Sequence, residues 1–120
     1  MSPAPELPLT PLTMAILLAL AKEDQHGYAL MQEVQAQTDG AIVPGTGSLY
    51  AALERLFDEG LIMESPRRPG AGDDRRRKYF RITEAGRAAA RAEAARMMRV
   101  LETARDKRLI GSLASLRGAR

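Results

Sequence analysis

Apolar residues recur at helical spacing in three stretches of the first half of the chain. Thr10-Pro11 predicts a helix start, because a hydroxyl cap is followed by proline at the first helical position. The residues from Leu12 to about Lys22 are nearly all apolar, which predicts a helix buried on more than one side. Tyr28–Thr38 predicts a second, amphipathic helix that Gly40 ends.

The third predicted helix lies within residues 45–62 and is followed at once by a strand. One face carries large apolar side chains at helical spacing: Leu49, Leu53, Leu56 and Phe57. Gly60 is predicted to end the helix, and Thr46 or Ser48 to cap its start. A first turn of glycine and small hydroxyl residues also lets the positive end of a helix approach a phosphate or the floor of a groove. The first turn is therefore a candidate DNA contact at Thr46, Gly47 and Ser48.

Two strands are predicted around a loop rich in proline and glycine. Residues 61–65 form the first strand, residues 66–74 the loop, and residues 76–83 the second strand. The alternation in the second strand is imperfect, and we expect Phe80 and Ile82 to face inward. Three helices followed by such a hairpin are typical of the winged form of the helix-turn-helix, in which the third helix enters the major groove.

A long helix is predicted from Thr83-Glu84, which caps it, to about Arg108. At ~1.5 Å per residue it would be a rod of roughly 38 Å, too long for so small a domain to cover. Its apolar stripe is assigned to a dimer seam or, as the alternative, to an effector pocket lined by adaptable thioethers. The candidate residues for dimerisation or effector binding are Leu12 and Ile16 of the first helix and, in the long helix, Met97, Met98, Leu101 and Ala104.

These elements predict a mainly α fold with a small β-hairpin: a winged helix-turn-helix plus a long C-terminal dimerisation helix. Residues 1–8 are predicted to form a flexible arm, residues 9–84 the winged helix domain, and residues 85–120 the dimerisation helix.

Positive charge is concentrated in one segment. The net charge of the chain is +3, whereas residues 65–81 hold seven cationic and two acidic side chains, a net charge of +5 that leaves −2 for the remainder. Such a patch is typical of nucleic-acid contact, although it could also be a solvated loop face. The candidate DNA contacts of this segment are Arg67, Arg68, Arg75, Arg76, Arg77 and Lys78.

Other classes of protein find little support. The chain has no cysteine and one histidine, His26, for which helix capping is a better interpretation than metal binding. No nucleophile and base form a catalytic set, so we expect no enzyme, no metal and no cofactor. The longest apolar run, residues 14–21, is too short for a membrane span. We expect a cytoplasmic protein.

Four segments resemble the PadR-type transcriptional regulators, and the resemblance covers most of residues 9–90. They are residues 26–30 (HGYAL), 47–56 (GSLYAALERL), 59–62 (EGLI) and 77–86 (RKYFRITEAG). The resemblance implies a homodimeric repressor with Tyr28 and the turn from Ser48 to Tyr50 close to double-stranded DNA. It also implies a small-molecule effector near the dimer interface in some members. This chain lacks the aromatic residue often found in the last helix of the family.

Tyr28 and Tyr50 could each instead pack the ring into the core.

Two-fold symmetry of a dimer would predict palindromic operators with half-sites roughly 34 Å apart or a multiple of it. The alternatives are a winged helix module that docks proteins without binding DNA and a ligand sensor resembling the MarR proteins.

Overall fold

The computed structural model describes residues 7–67, 70, 72, 76–112, 114 and 116. Residues 1–6 of the predicted arm, Arg68 and Arg75 lie outside the described residues. The elements, in chain order, are α1 (Pro11–Lys22), β1 (Gln25–His26), α2 (Gly27–Gln37), α3 (Thr46–Asp58), β2 (Ile62–Glu64), β3 (Tyr79–Ile82) and α4 (Glu84–Asp106).

The predicted fold class is confirmed, with one addition to the sheet. The sheet has three antiparallel strands in the order β1-β3-β2, where a two-stranded hairpin was predicted. The added strand is two residues long, with Gln25 opposite Phe80 and His26 opposite Tyr79. Gln25 is buried in this position because its Nε2 donates to the carbonyl of Ala19 at 2.9 Å.

Helix α1 is the centre of the core and contacts α2, α3, β3 and α4. Thr10 caps it as predicted, accepting from the N–H of Thr13 at 3.1 Å. Leu12 is half-buried, but Ile16 and Leu17 have no exposed surface. The assignment of Ile16 to a dimer or effector surface is therefore wrong. A helix that is apolar all round packs on several sides, and Ile16 lies on a side that the chain itself covers.

Helix α3 differs from its prediction at its start and at one position of its apolar face. Its N-cap is Gly45, and Thr46 and Ser48 lie inside the first turn, so neither hydroxyl provides the predicted cap. Phe57 was predicted to face the core but is 54% exposed, because it lies at the edge of the apolar stripe. The end at Gly60 is confirmed: its φ of 76° is left-handed, and the N–H of Leu61 returns to the carbonyl of Leu56 at 2.9 Å.

The buried positions of β3 also differ in part from those predicted. Ile82 is buried as expected, and Phe80 is partly buried against the core. Tyr79, which the alternation had placed on the outer face, is buried as well. His26 of β1 and Arg67, which follows β2, cover its ring, so β3 is packed on both faces at this end.

The first turn of α4 lies directly against the start of β2. Thr83 caps α4 by accepting from the N–H of Gly86 at 3.0 Å, and its hydroxyl donates to the carbonyl of Gly60 at 2.6 Å. A Cβ atom at Gly86 would overlap the carbonyl oxygen of Leu61 and would lie 2.7 Å from Cγ1 of Ile82. This close approach fixes where the long helix leaves the winged helix domain.

Farther along α4, Glu93 pairs with Arg96 of the same helix and accepts a backbone hydrogen bond from Leu9 in the N-terminal segment. Glu93 is buried, and Arg96 donates to both of its carboxylate oxygens at 2.7 and 2.9 Å. The bond from Arg96 lowers the pKa of Glu93; burial opposes this shift, and the backbone N–H of Leu9 reinforces it. Beyond this point α4 extends with exposed apolar side chains.

We predict that Gly86→Ala destabilises the fold. The new methyl group meets backbone, which cannot move without separating α4 from β2. We expect a loss of roughly 1–3 kcal/mol or more in the free energy of unfolding, measured by urea denaturation.

The matched control is Gly47→Ala, also in the first turn of a helix. A Cβ atom at Gly47 would meet nothing within 4 Å. We expect it to be neutral or to stabilise by about 0.5–1 kcal/mol. Equal unfolding midpoints for the two variants would contradict the packing described for Gly86.

Candidate nucleic-acid interface

The starts of α2, α3 and β3 meet around an open cleft of about 330 Å³. One wall is aromatic and the other is cationic, and both belong to segments predicted to contact DNA. The cleft is lined by His26, Gly27, Tyr28, Tyr50, Arg76, Arg77, Lys78 and Phe80.

Tyr28 stands at the rim of this cleft and is 57% exposed. Its hydroxyl accepts from Nε2 of Gln32 at 3.2 Å, and the guanidinium of Arg77 lies 5.9 Å from the centre of its ring. This distance is within the range of a cation–π interaction. The wing is the hairpin of β2 and β3, and Arg77, two residues before β3, therefore approaches α2.

His26 caps α2, as predicted from its position. Its Nδ1 accepts from the N–H of Ala29 at 3.2 Å, and its Nε2 lies 3.3 Å from a guanidinium nitrogen of Arg77. A neutral imidazole has one donor and one acceptor nitrogen, so it cannot accept at both. The cap and the hydrogen bond from Arg77 therefore belong to different tautomers.

Asp24 attaches the base of the wing to the turn before β1. Arg81 donates to its carboxylate from Nε at 3.2 Å and from Nη2 at 2.9 Å, and the hydroxyl of Ser65 donates to the same group. The hydrogen bond from Arg81 lowers the pKa of Asp24 despite the opposing effect of burial. These contacts hold β3 and the end of β2 in place beneath the cleft.

Arg67 is turned back onto the domain. Its guanidinium lies 4.5 Å from the centre of the Tyr79 ring and donates to the carbonyl of Asp24 at 3.2 Å. The ring of His26 meets Tyr79 edge-on at 5.2 Å. Arg67 is exposed, but part of its bonding capacity is used in covering Tyr79.

The first turn of α3 is open to solvent. Thr46, Gly47 and Ser48 are exposed, and Tyr50 is 49% exposed. Because its N-cap is glycine, no side chain at that position satisfies the N–H groups of the first turn. The other end of α3 is acidic, with exposed Glu54, Asp58 and Glu59. Charge along the helix thus favours an approach of its N-terminal half to a polyanion.

The structure brings together five of the predicted DNA contacts around the cleft and places Thr46, Gly47 and Ser48 on the same helix as Tyr50. The residues that the prediction missed are His26, Gly27 and Phe80. His26 and Gly27 lie in the motif at residues 26–30, one of the four segments that carry the family resemblance. Nothing in the local sequence showed that α2 and β3 share a cleft with α3.

The predicted dimer or effector stripe is largely exposed on α4. Met97 and Met98 are each close to half exposed, and Leu101 and Ala104 are half-buried. A mainly apolar cleft of about 280 Å³ lies between α1 and the middle of α4. It is lined by Leu9, Pro11, Met14, Ala15, Leu18, Gln37, Thr38, Ile42, Glu93, Arg96 and Met97.

Among the described residues, no helix combines the length and the apolar character that a membrane crossing requires.

The order of helices and strands, the wing and the cleft define a winged helix regulator. Residues 16–92 match the transcriptional regulator PadR-like family, and the chain belongs to that family. It is a family of transcription regulators, not of enzymes.

Similar proteins include the transcriptional regulator YqjI of Escherichia coli, which is 31% identical over 75 residues that cover 62% of this chain and 33% of YqjI. The chain spans between 33% and 65% of the length of the curated relatives that it matches.

Two solved structures show the same fold. A PadR-like regulator from Bacillus cereus superposes with a TM-score of 0.67 at 25% identity, covering 79% of this chain and 88% of that one. PadR of Bacillus subtilis, solved in complex with operator DNA, superposes with a TM-score of 0.57 at 23% identity, covering 69% of this chain and 47% of that one.

Proposed function

We propose that this chain is a sequence-specific DNA-binding regulator that acts as a homodimeric repressor at palindromic operators. The single observation that carries the proposal is the cleft in which Tyr28 and Tyr50 face Arg76, Arg77 and Lys78 beside the open first turn of α3. It combines a helix end suited to a groove, two amphipathic rings and a cationic wing. The operator complex of the Bacillus subtilis PadR supports this use of the fold.

The reading element in this proposal is the N-terminal half of α3. Its small residues allow the backbone to come close to base edges, and its first-turn N–H groups can donate to a phosphate. The acidic side chains at the other end of α3 would be repelled by the duplex, so α3 enters the major groove with its N-terminus foremost. Tyr50 is the exposed large side chain nearest to that end, and it could contact a base or a sugar there.

The wing supplies affinity that does not depend on sequence. Arg76, Arg77 and Lys78 neutralise phosphates and release counterions, so binding weakens steeply as salt rises. Arg81 and Arg67 hold the wing in place through Asp24 and Tyr79. A winged helix used only to dock another protein would not show this dependence on salt with an arbitrary duplex.

Residues 85–120 form the dimerisation part of the proposal, and residues 9–84 the DNA-binding part. Met97 and Met98 are apolar and close to half exposed on a helix that extends beyond the core, and Leu101 and Ala104 lie on the same side of that helix. Pairing α4 with its copy would bury these side chains and give two recognition helices related by a two-fold axis.

A small hydrophobic effector would fit the apolar cleft between α1 and α4. Such a ligand could alter the angle between the two wings, provided that it binds one angle more tightly than the other.

We predict that Arg76→Glu weakens binding to every duplex to a similar degree, since a phosphate contact carries no sequence information. The slope of log affinity against log salt concentration should become shallower by about 1. Fluorescence anisotropy with a selected site and a scrambled duplex measures both effects.

The matched control is Arg91→Glu, which makes the same change in net charge at an exposed position on α4. We expect it to leave the slope nearly unchanged. Equal effects of the two substitutions would assign the salt dependence to net charge and not to the wing.

We predict that Met98→Glu yields a folded monomer. A carboxylate placed in an apolar seam loses its hydration, which should weaken dimerisation by at least about a hundredfold. Sedimentation velocity gives the mass, and circular dichroism reports whether α4 is intact.

Thr103→Glu is the control, because Thr103 is exposed and lies about 140° around α4 from Met98. It should remain dimeric. A dimer of unchanged stability in Met98→Glu would exclude this face of α4 from the seam.

A further inference from the structure

Gly27 is the first residue of α2 and is buried against the recognition helix. A Cβ atom at this position would lie 2.9 Å from Cζ of Tyr50 and closer still to its hydroxyl oxygen. Cβ atoms in proteins essentially never approach another heavy atom within 3.0 Å. The three nearest atoms to the missing Cβ all belong to the ring of Tyr50. The phenol therefore occupies the space that any other side chain at position 27 would need.

The backbone itself does not call for glycine here. The described glycines with positive φ are Gly40, Gly60 and Gly72, so Gly27 has a conformation open to other residues. Glycine also weakens a helix relative to alanine. The contact with Tyr50 is thus the feature of this position that requires the absence of a side chain.

We propose that Gly27 is a positioning residue for DNA recognition, acting through Tyr50. By leaving room for the phenol, it lets one side of the ring rest on the start of α2 while the ring remains 49% exposed to a partner. The hydroxyl end is thereby held in the cleft beside Tyr28 and Arg77. This inference rests on the proposed function and assigns part of its specificity to a residue that has no side chain.

The energetic consequence is preorganisation. A surface tyrosine ordinarily loses side-chain freedom when it binds, and a ring already held by packing loses less. The same contact joins α2 to α3 at their N-terminal ends, so it also sets how Tyr28 and Tyr50 are spaced on the DNA-facing surface.

The test is Gly27→Ala in the full chain. The methyl group displaces the far end of a flexible side chain and no backbone, so we expect the thermal midpoint to stay within about 2 °C of the parent or to rise. Affinity for a duplex carrying the site selected by the parent protein should fall by about tenfold. Affinity for a scrambled duplex should change much less, because the wing is intact.

A double-mutant cycle separates positioning from other effects of the alanine. In a Tyr50→Ala background the space beside Gly27 is empty, so adding Gly27→Ala should cause no further loss of specific affinity. Tyr50→Phe keeps the ring but removes the hydroxyl, so it shows whether packing of the ring against Gly27 is sufficient. Adding Gly27→Ala should still lower the specific affinity of that variant.

Two results would overturn the inference itself, and a third would overturn the proposed function. If Gly27→Ala bound the selected site as tightly as the parent does, DNA recognition by Tyr50 would not depend on its packing against Gly27. An equal loss in the parent and in the Tyr50→Ala background would assign the effect to the start of α2. If the parent protein selects no duplex at all, the proposed function fails first and this role fails with it. If the parent binds its site and the cycle is additive, only the role of Gly27 fails.

Discussion

The packing of α1 against every other layer is the constraint on which the remaining structure depends. Ile16, Leu17 and Leu20 are almost fully buried, and burial of each such side chain contributes about 1.5–3 kcal/mol. The same helix contacts α3, which carries the proposed reading surface, and α4, which carries the proposed dimer seam. A helix packed against four other elements cannot move relative to one of them without disturbing the others. A change in the direction of α4 would therefore move the whole winged helix domain as one body.

The proposed DNA-facing surface is built by short-range contacts between elements that are distant in the chain. Arg81 and Asp24 tie the wing to the turn before β1, and Arg77 reaches from the wing to Tyr28. Tyr50 rests on the start of α2 through Gly27. Charged and aromatic groups are held in one arrangement by the chain itself, and in the proposed mode of binding the acidic side chains at the end of α3 favour a duplex at its N-terminal half.

Local signals were enough to predict most of the fold. Thr10 and Thr83 cap helices where expected, and Gly60 ends α3, because caps and left-handed glycines act within a few residues. Ile16 was misassigned because an all-apolar helix shows no preferred face. The two residues of β1 are too few to show an alternation of apolar and polar positions, so this strand was not predicted. The contact between Gly27 and Tyr50 joins positions 23 residues apart, and no pattern along the chain encodes that distance.

We propose that two copies of this domain read a two-fold symmetric site through α3 and the wing. Selection of bound sites from a pool of random duplex DNA is the sharpest test of this proposal. We expect a palindromic consensus with half-sites separated by one helical turn of DNA, about 34 Å, or a multiple of it. Enrichment of a single asymmetric half-site would contradict the dimer, and enrichment of no sequence would contradict DNA reading itself.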